Sequence, residues 1–227
     1  MLIYGIGLGP GDPELVTVKA VKTLEKSDVV IVPQSDKTGR SIAGDIVKNY
    51  VPEEKILWYY FPMTGDKADL DTRYTALATE MEKLAAEGKT ISYVTIGDTP
   101  VYSTFNYLRD KLKAKNIETK MIAGISAFSA SANRMNLPLC EKDGSFCVAE
   151  MPDTDEELLE LTRRFTSVVL MKVHKRLGVL TEFVRKNSLS EAYLFQRVTM
   201  EDEQIFNLLT EVPGESAGYL STAILKA

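Results

Sequence analysis

Short apolar runs rich in β-branched residues alternate with stretches of helical spacing through most of this 227-residue chain. The first apolar run covers residues 2–8 and ends in a glycine-rich segment, and residues 13–26 then carry apolar side chains at helical intervals. Such alternation is typical of parallel βαβ units whose sheet is covered by helices on both faces. The chain is therefore expected to adopt an α/β fold.

The remaining elements follow from the same patterns. Further strands are expected at residues 28–33, 55–61, 90–96, 118–122, 145–149, 167–173, 191–199 and 218–225. Further helices are expected at residues 41–49, 69–87, 102–113, 127–135, 154–165 and 177–186. Thr154 and Glu157 have the spacing of a capping box. We expect the last two strands to be neighbours in a mixed, partly antiparallel sheet.

A polar stretch at residues 113–116 suggests a division into two α/β domains, residues 1–115 with a largely parallel sheet and residues 116–227 with a mixed sheet. The same stretch is equally compatible with an ordinary loop between a helix and a strand.

Composition limits the classes of partner. A net charge of −5 argues against non-specific nucleic-acid binding, which needs a basic face. No apolar run approaches the ~20 residues needed to cross a bilayer, so we expect no membrane partner. The first residues have the pattern of a buried strand rather than of a signal peptide, so we expect a cytoplasmic location. The chain has two cysteines and one histidine, which are too few to form a Cys/His zinc site without carboxylate ligands. No protein-bound metal is expected. Cys140 and Cys147 are expected to be reduced, buried thiols.

The glycine-rich segment at residues 5–12 follows a strand and precedes a helix, where α/β proteins hold ligands. Its glycines do not fit the dinucleotide spacing, and no Lys-Ser or Lys-Thr pair follows as in a phosphate loop. Asp12 also places a negative charge where a phosphate would lie. The simplest alternative is a tight turn in which Asp12 caps the helix.

Four further segments lie at the ends of expected strands: residues 93–104, 122–130, 169–172 and 196–200. Each also has a purely structural interpretation. Asp98 can serve as a cap, the small residues of 122–130 can serve helix packing, and Met171 can be a core side chain.

Taken together, these segments resemble the tetrapyrrole methylase family, which includes the uroporphyrinogen-III and precorrin methyltransferases. Residues 7–20 match the N-terminal motif of that family at every defined position, and the other segments follow in the family order, with Ala123 and Gln196 replacing a proline and an acid. The resemblance implies S-adenosylmethionine as cofactor, S-adenosylhomocysteine as product, and a cofactor site between the two domains. The cofactor-binding residues it implies are Pro10, Ile96, Gly97, Asp98, Val101, Tyr102, Ser126, Ala127, Met171 and Val198.

Within the family, residues 61–63 and 97–108 are similar to the branch that methylates precorrin-2 or cobalt-factor II at C-20. Pro33 stands where the uroporphyrinogen-III branch carries an aspartate. The resemblance therefore implies C-methylation of an early corrin precursor in cobalamin biosynthesis, by a homodimer with the aromatic segment 58–61 as a candidate contact.

The substrate of such an enzyme is an anionic tetrapyrrole, so basic side chains are expected at the mouth of its groove. The candidates are Lys37, Arg40, Arg73, Arg134, Lys142 and Arg197. Asp12 is expected near the ring, paired with a cap amide or a cation. Asp98 and Tyr102 are the candidate catalytic residues, as acceptors of the proton lost after direct methyl transfer.

Other functions remain open from the sequence. A related methyltransferase acting on a diphthamide precursor or on ribosomal RNA is one alternative, although the acidic balance speaks against RNA. A non-catalytic, nucleotide-sensing α/β domain is another.

Overall fold

The computed structural model describes residues 1–35, 41–62, 66–218 and 220–227. Within these ranges the chain forms two compact units, Met1–Ser126 and Ala127–Ala227. Each unit contains its own five-stranded sheet with helices, so the expected α/β class with two domains is confirmed. No helix in the described part of the chain is both long and apolar enough to cross a membrane.

The sheet of the first unit is entirely parallel. Its strands are β1 (Leu2–Gly7), β2 (Val29–Gln34), β3 (Ile56–Tyr60), β4 (Ile91–Thr95) and β5 (Glu118–Ile122). They are arranged in the order β3-β2-β4-β1-β5. Because β5 pairs with β1, this strand belongs to the first unit. The division between the units therefore lies after Ser126, eleven residues beyond the polar stretch that suggested residue 115.

Helices cover both faces of this sheet, as the near-continuous apolar strands require. They are α1 (Val18–Lys26), α2 (Ile42–Val47), α3 (Lys67–Ala86) and α4 (Phe105–Ala114). Successive residues of a strand point to opposite faces. Accordingly Ile31 packs in a cluster with side chains of α3 and α4, whereas Val30 and Val32 pack with side chains of α1 and α2.

The second unit has a mixed sheet of shorter strands. Its elements are α5 (Ala127–Arg134), β6 (Phe146–Glu150), α6 (Asp155–Arg164), β7 (Ser167–Met171), α7 (Leu177–Lys186), β8 (Glu191–Gln196), β9 (Gln204–Asn207) and β10 (Ser221–Lys226). The strand order is β6-β7-β10-β8-β9. Only β6 and β7 pair in parallel, and β10 pairs antiparallel with β8, which confirms the expected neighbours.

The element boundaries differ from the sequence predictions where the backbone leaves regular geometry. The helix expected over residues 13–26 is a short 3-10 turn at Pro13–Leu15, followed by α1, because Thr17 is extended and caps α1 through its hydroxyl. The helix expected from residue 102 begins at Phe105, because Tyr102 has a φ of 49°. Strand β9 had no recognisable alternation and was missed.

Smaller expectations also have clear outcomes. The Thr154 hydroxyl accepts a hydrogen bond from Glu157 N at 3.3 Å, and the Glu157 carboxylate accepts one from Asp153 N at 3.2 Å, which confirms capping at this helix. Both cysteines are free, but Cys140 is exposed rather than buried, and burial raises the pKa of the half-buried Cys147.

Candidate functional site

The carboxyl ends of β4, β1 and β5 lie side by side, since these strands are neighbours in a parallel sheet. The loops that follow β1 and β4 are joined through their backbones. Leu8 N donates to Thr95 O at 2.9 Å, and Gly9 and Gly97 exchange two hydrogen bonds of 3.1 and 2.7 Å. The glycine-rich segment and the Gly97-Asp98 segment, nearly ninety residues apart in sequence, therefore form one structure.

A third loop, after β5, packs against both of them at Gly124. A Cβ added to Gly7 would lie 2.7 Å from Gly124 N and from Gly97 O. A Cβ added to Gly124 would overlap the carbonyl oxygen of Gly97 and lie 2.7 Å from the carbonyl carbon of Gly7. Only glycine allows such close backbone approach, so we call the contact of Gly7, Gly97 and Gly124 the glycine junction.

Three side chains reinforce the glycine junction, and the sequence patterns did not reveal these contacts. Asp98 Oδ1 accepts hydrogen bonds from Thr99 N and Gly124 N, both at 2.9 Å. The Thr99 hydroxyl donates to Ile122 O at 2.9 Å, and the Thr17 hydroxyl donates to Ala123 O at 3.1 Å. Thr17 fell inside the helix expected over residues 13–26, and its contact with Ala123 depends on strand order.

The surroundings of Gly97 fit the backbone of a ligand site. Gly97 has a φ of 75°, and apart from Gly97 and its two chain neighbours no atom of the described chain lies within 4 Å of the position that a Cβ would take. A ligand can thus approach its backbone closely. Among the described residues, Oδ2 of the half-buried Asp98 takes no part in the hydrogen bonds that hold Oδ1. Exposed backbone beside one carboxylate suits a ligand with both ammonium and carboxylate groups, as S-adenosylmethionine has.

The other site residues expected in this unit surround the same strand ends. Ile96 and Val101 are half-buried, Ser126 is 9% exposed, and Tyr102 is 47% exposed in a left-handed backbone conformation. A non-glycine residue in that conformation is strained and persists only where the surrounding structure holds it. Such strain is common at functional sites.

Asp12 has the capping role that the sequence suggested as the simplest alternative. Its Oδ1 accepts a hydrogen bond from Glu14 N at 2.8 Å at the start of the 3-10 turn, which confirms the expected cap amide. The Tyr50 hydroxyl donates to Pro13 O at 2.5 Å. Burial, and then the charges of Asp12 and Glu14, raise the pKa of Tyr50. Pro10 is buried in this loop.

The site residues expected in the second unit lie on different elements of that unit. Ala127 is the first residue of α5, Met171 is the last residue of β7, and Val198 follows β8 and is 3% exposed. The residues next to Met171 and Val198 have left-handed backbones: φ is 57° at Lys172, 51° at Arg197 and 68° at Thr199. No sequence pattern signalled these conformations.

The expected substrate cations that the structure describes are largely engaged within the chain. Arg73 Nε bonds to Asp69 Oδ2 at 2.9 Å, and its guanidinium lies 5.8 Å from the centroid of the Tyr60 ring. Arg134 and Arg197 pair with Glu203 and Asp202, both at 2.6 Å. Lys142 is exposed.

Two further cations, Lys37 and Arg40, lie outside the described residues. In the part of the chain that is described, no three His, Cys, Asp or Glu side chains group as a metal site.

Known proteins are similar to this chain over nearly its whole length. The family model of the Tetrapyrrole (Corrin/Porphyrin) Methylases matches residues 2–213. A probable cobalt-precorrin-2 C(20)-methyltransferase of Methanocaldococcus jannaschii is 35% identical over 226 residues, covering 99% of this chain and 95% of the relative. The cobalt-precorrin-2 C(20)-methyltransferase of Salmonella typhimurium is 28% identical, covering 98% of this chain and 95% of the relative.

Solved structures share the fold. A cobalt precorrin-4 methyltransferase superposes with a TM-score of 0.76 at 19% identity, covering 99% of this chain and 94% of the other. A uroporphyrin-III C-methyltransferase from Thermus thermophilus, solved with S-adenosyl homocysteine, has a TM-score of 0.66 at 19% identity and covers 100% and 92% of the two chains. Since the family model covers nearly the whole sequence and a relative above 30% identity covers nearly all of it, the chain belongs to the tetrapyrrole (corrin/porphyrin) methylases.

Proposed function

We propose that this chain is an S-adenosylmethionine-dependent methyltransferase that methylates C-20 of precorrin-2 or its cobalt-containing counterpart in cobalamin biosynthesis. The observation that carries the proposal is the near full-length similarity to the Methanocaldococcus jannaschii relative named for this reaction. The Salmonella typhimurium relative bears the same reaction in its name. The glycine junction supports it, because it presents open backbone where the family motifs meet.

In this proposal the chain acts mainly by positioning. S-adenosylmethionine, when bound, supplies an electrophilic methyl group on a sulfonium. The residues proposed to hold it are Pro10, Ile96, Gly97, Asp98, Val101, Tyr102 and Ser126 in the first unit and Ala127, Met171 and Val198 in the second. Holding two reactants in line can supply roughly 7–11 kcal/mol of the barrier reduction. The hydrogen bonds of Asp98 and Thr99 join the loop after β4 to the end of β5 and the loop that follows it.

The substrate carbon is already nucleophilic, so the reaction needs few catalytic groups. The meso carbon takes the methyl group, S-adenosylhomocysteine is released, and a proton is lost from the same carbon. We propose Asp98 and Tyr102 as candidate proton acceptors. For Asp98 the support is geometric, because Oδ1 is held by two amides and only Oδ2 is then left to take a proton.

We propose that basic side chains recognise the anionic ring. The candidates are Lys37, Arg40, Arg73, Lys142 and Arg197, with Asp12 near the ring, held by its cap amide. An exposed ion pair contributes only ~0.2–1 kcal/mol, so several cations would orient the ring while burial of its apolar surface supplies most of the affinity.

We also propose a homodimer. The aromatic segment offered as a contact is largely used within the first unit: Phe61 is 7% exposed, residues 58–60 are half-buried, and the Tyr59 hydroxyl donates to Arg73 O at 2.9 Å. Exposed apolar side chains elsewhere, such as Tyr107 at 65% and Val212 at 83%, support association instead. Light scattering at micromolar concentration measures the mass directly.

The decisive experiment incubates the chain with S-adenosylmethionine and, separately, with precorrin-2 and cobalt-factor II, and follows each ring by mass spectrometry. We expect the mass of at least one ring to rise by one CH2, because a methyl group replaces a hydrogen, with S-adenosylhomocysteine formed in equal amount. Methylation of neither ring, despite cofactor binding, would point to another substrate. Failure to bind S-adenosylhomocysteine would contradict a methyltransferase altogether.

A further inference from the structure

The backbone after β8 turns through two non-glycine residues in left-handed conformations. Arg197 has a φ of 51° and Thr199 a φ of 68°, and Val198 between them is 3% exposed. A β-branched residue such as threonine is a genuine outlier at positive φ. A conformation of this kind persists only where surrounding contacts determine it, so something must hold residues 197–199, which we call the β8 turn.

A carboxylate provides one of these contacts. Glu203 Oε2 accepts a hydrogen bond from Thr199 N at 2.6 Å, directly at the most strained residue. Glu203 Oε1 accepts a second hydrogen bond from Arg134 Nε, also at 2.6 Å, at the end of α5. The Glu203 side chain is only 11% exposed, and short hydrogen bonds to an ionised acceptor are roughly twice as strong as neutral ones.

The local backbone places Glu203 for this role. Met200 N donates to Arg197 O at 3.0 Å, and Glu203 N donates to Met200 O at 3.1 Å. These two turns bring the chain back so that the carboxylate reaches the amide four residues earlier. The neighbouring ion pair joins Arg197 to Asp202. It differs in exposure, because the Asp202 side chain is 65% exposed.

We propose that Glu203 is a positioning residue that holds the β8 turn in the conformation presenting Val198 to the cofactor, and that Arg134 acts through Glu203 rather than by binding a substrate carboxylate. The inference rests on the proposed function, in which Val198 belongs to the cofactor site. It reassigns Arg134, which the sequence suggested as a substrate cation.

The test measures S-adenosylhomocysteine binding by calorimetry on the full chain. Glu203→Ala removes both hydrogen bonds, and we expect binding to weaken about tenfold or more, since a hydrogen bond to a charged group is being lost. Asp202→Ala is the matched control, and we expect a change within about twofold, because it breaks only an exposed pair. Thermal unfolding confirms that each variant is folded, and Glu203→Gln, which keeps one acceptor for Thr199 N, replaces Glu203→Ala if that variant does not fold.

A rescue variant separates positioning from general stabilisation. Glycine accepts a positive φ without steric strain, so Thr199→Gly combined with Glu203→Ala is expected to recover most of the lost affinity. In turnover assays we expect Glu203→Ala to raise the KM for S-adenosylmethionine while kcat changes little. A role in overall stability alone would not produce rescue by glycine or this separation of KM from kcat.

Arg134→Ala completes the test. We expect it to weaken S-adenosylhomocysteine binding and to add no further loss in the Glu203→Ala background, because both act on one contact. If Arg134→Ala leaves cofactor affinity unchanged and raises only the KM for the ring, or if Glu203→Ala binds as well as the unaltered chain, the inference is wrong. An unaltered chain that binds no S-adenosylhomocysteine overturns the proposed function and this inference together.

Discussion

Replacing Gly124 by alanine is the sharpest test of the glycine junction. The new methyl group would overlap the carbonyl oxygen of Gly97 and lie 2.7 Å from the carbonyl carbon of Gly7. Carbon atoms in contact are normally about 3.5–4.0 Å apart. The loops after β1, β4 and β5 must therefore separate by roughly 1 Å to admit it.

The size of the effect follows from what must move. Overpacking a close-packed site typically costs about 1–3 kcal/mol. Here the obstructing atoms belong to the backbone, and Gly97 is held to Gly9 by two hydrogen bonds of 3.1 and 2.7 Å, so no flexible side chain can give way. We expect a loss near the upper end of that range, about 3 kcal/mol, which corresponds to a fall in Tm of roughly 6–12 °C for a chain of this size.

The matched control is Gly178→Ala in α7, where no described atom lies within 4 Å of the added Cβ apart from the chain neighbours and the backbone of the same helix. Gly178 is the second residue of α7. The preference of up to about 1 kcal/mol for alanine over glycine applies to helix interiors, so we expect this variant in the first turn to be about as stable as the original chain. Thermal unfolding gives the stability of both variants, and calorimetry gives their affinity for S-adenosylhomocysteine.

Because the displaced loops carry Gly97 and Asp98, we expect Gly124→Ala to weaken S-adenosylhomocysteine binding as well, whereas Gly178→Ala does not. If Gly124→Ala unfolds at the same temperature as the unaltered chain and binds equally well, the close approach of the three loops does not exist as described. If Gly124→Ala is less stable but binds S-adenosylhomocysteine equally well, the glycine junction exists as described but does not belong to the ligand site.

Four further predictions concern individual side chains. Asp98→Asn keeps an oxygen for the two amides but cannot take up a proton. If Asp98 is the proton acceptor, we expect an intact fold and a kcat lowered about 10²-fold or more. Unchanged turnover would mean that Asp98 has a structural role only. Ala127→Leu is expected to abolish S-adenosylhomocysteine binding without lowering Tm, and unchanged calorimetric binding would remove Ala127 from the site. Asp12→Ala is expected to reduce turnover far more than cofactor affinity, and the reverse pattern in kinetics and calorimetry would assign the loop to the cofactor. Burial, and then the nearby Tyr107, raise the pKa of Tyr74 to about 12 from 10.0. The stability that this shift contributes is therefore complete below about pH 10 and is lost as the pH rises towards about 12. Between about pH 9 and about pH 11, urea unfolding is expected to show a smaller loss of stability for Tyr74→Phe than for the unaltered chain.

Local patterns were sufficient for much of the fold. The alternation of apolar runs with helical spacing predicted both α/β units, and α7 and β5 were predicted to the residue. The capping of α6 by Thr154 was also visible, because its partners lie within a few residues of it. These features depend on side-chain spacing along one segment, which is what a sequence displays.

Contacts between distant segments were decided only by the tertiary structure. The pairing of β5 with β1 moved the division of the chain to Ser126, and Asp98 meets Gly124 N only because β4, β1 and β5 are neighbours in the sheet. Local periodicity specifies that a strand exists but not which strand lies beside it.

The β8 turn shows the same limit for a single residue. Nothing in the sequence marks Thr199 as left-handed, since threonine disfavours that conformation. Glu203 bonds to Thr199 N, and Arg134, which is 69 residues from Glu203 in sequence, bonds to the same carboxylate. A strained backbone is determined by the contacts that surround it in space, and those contacts form only once the strands and helices have packed.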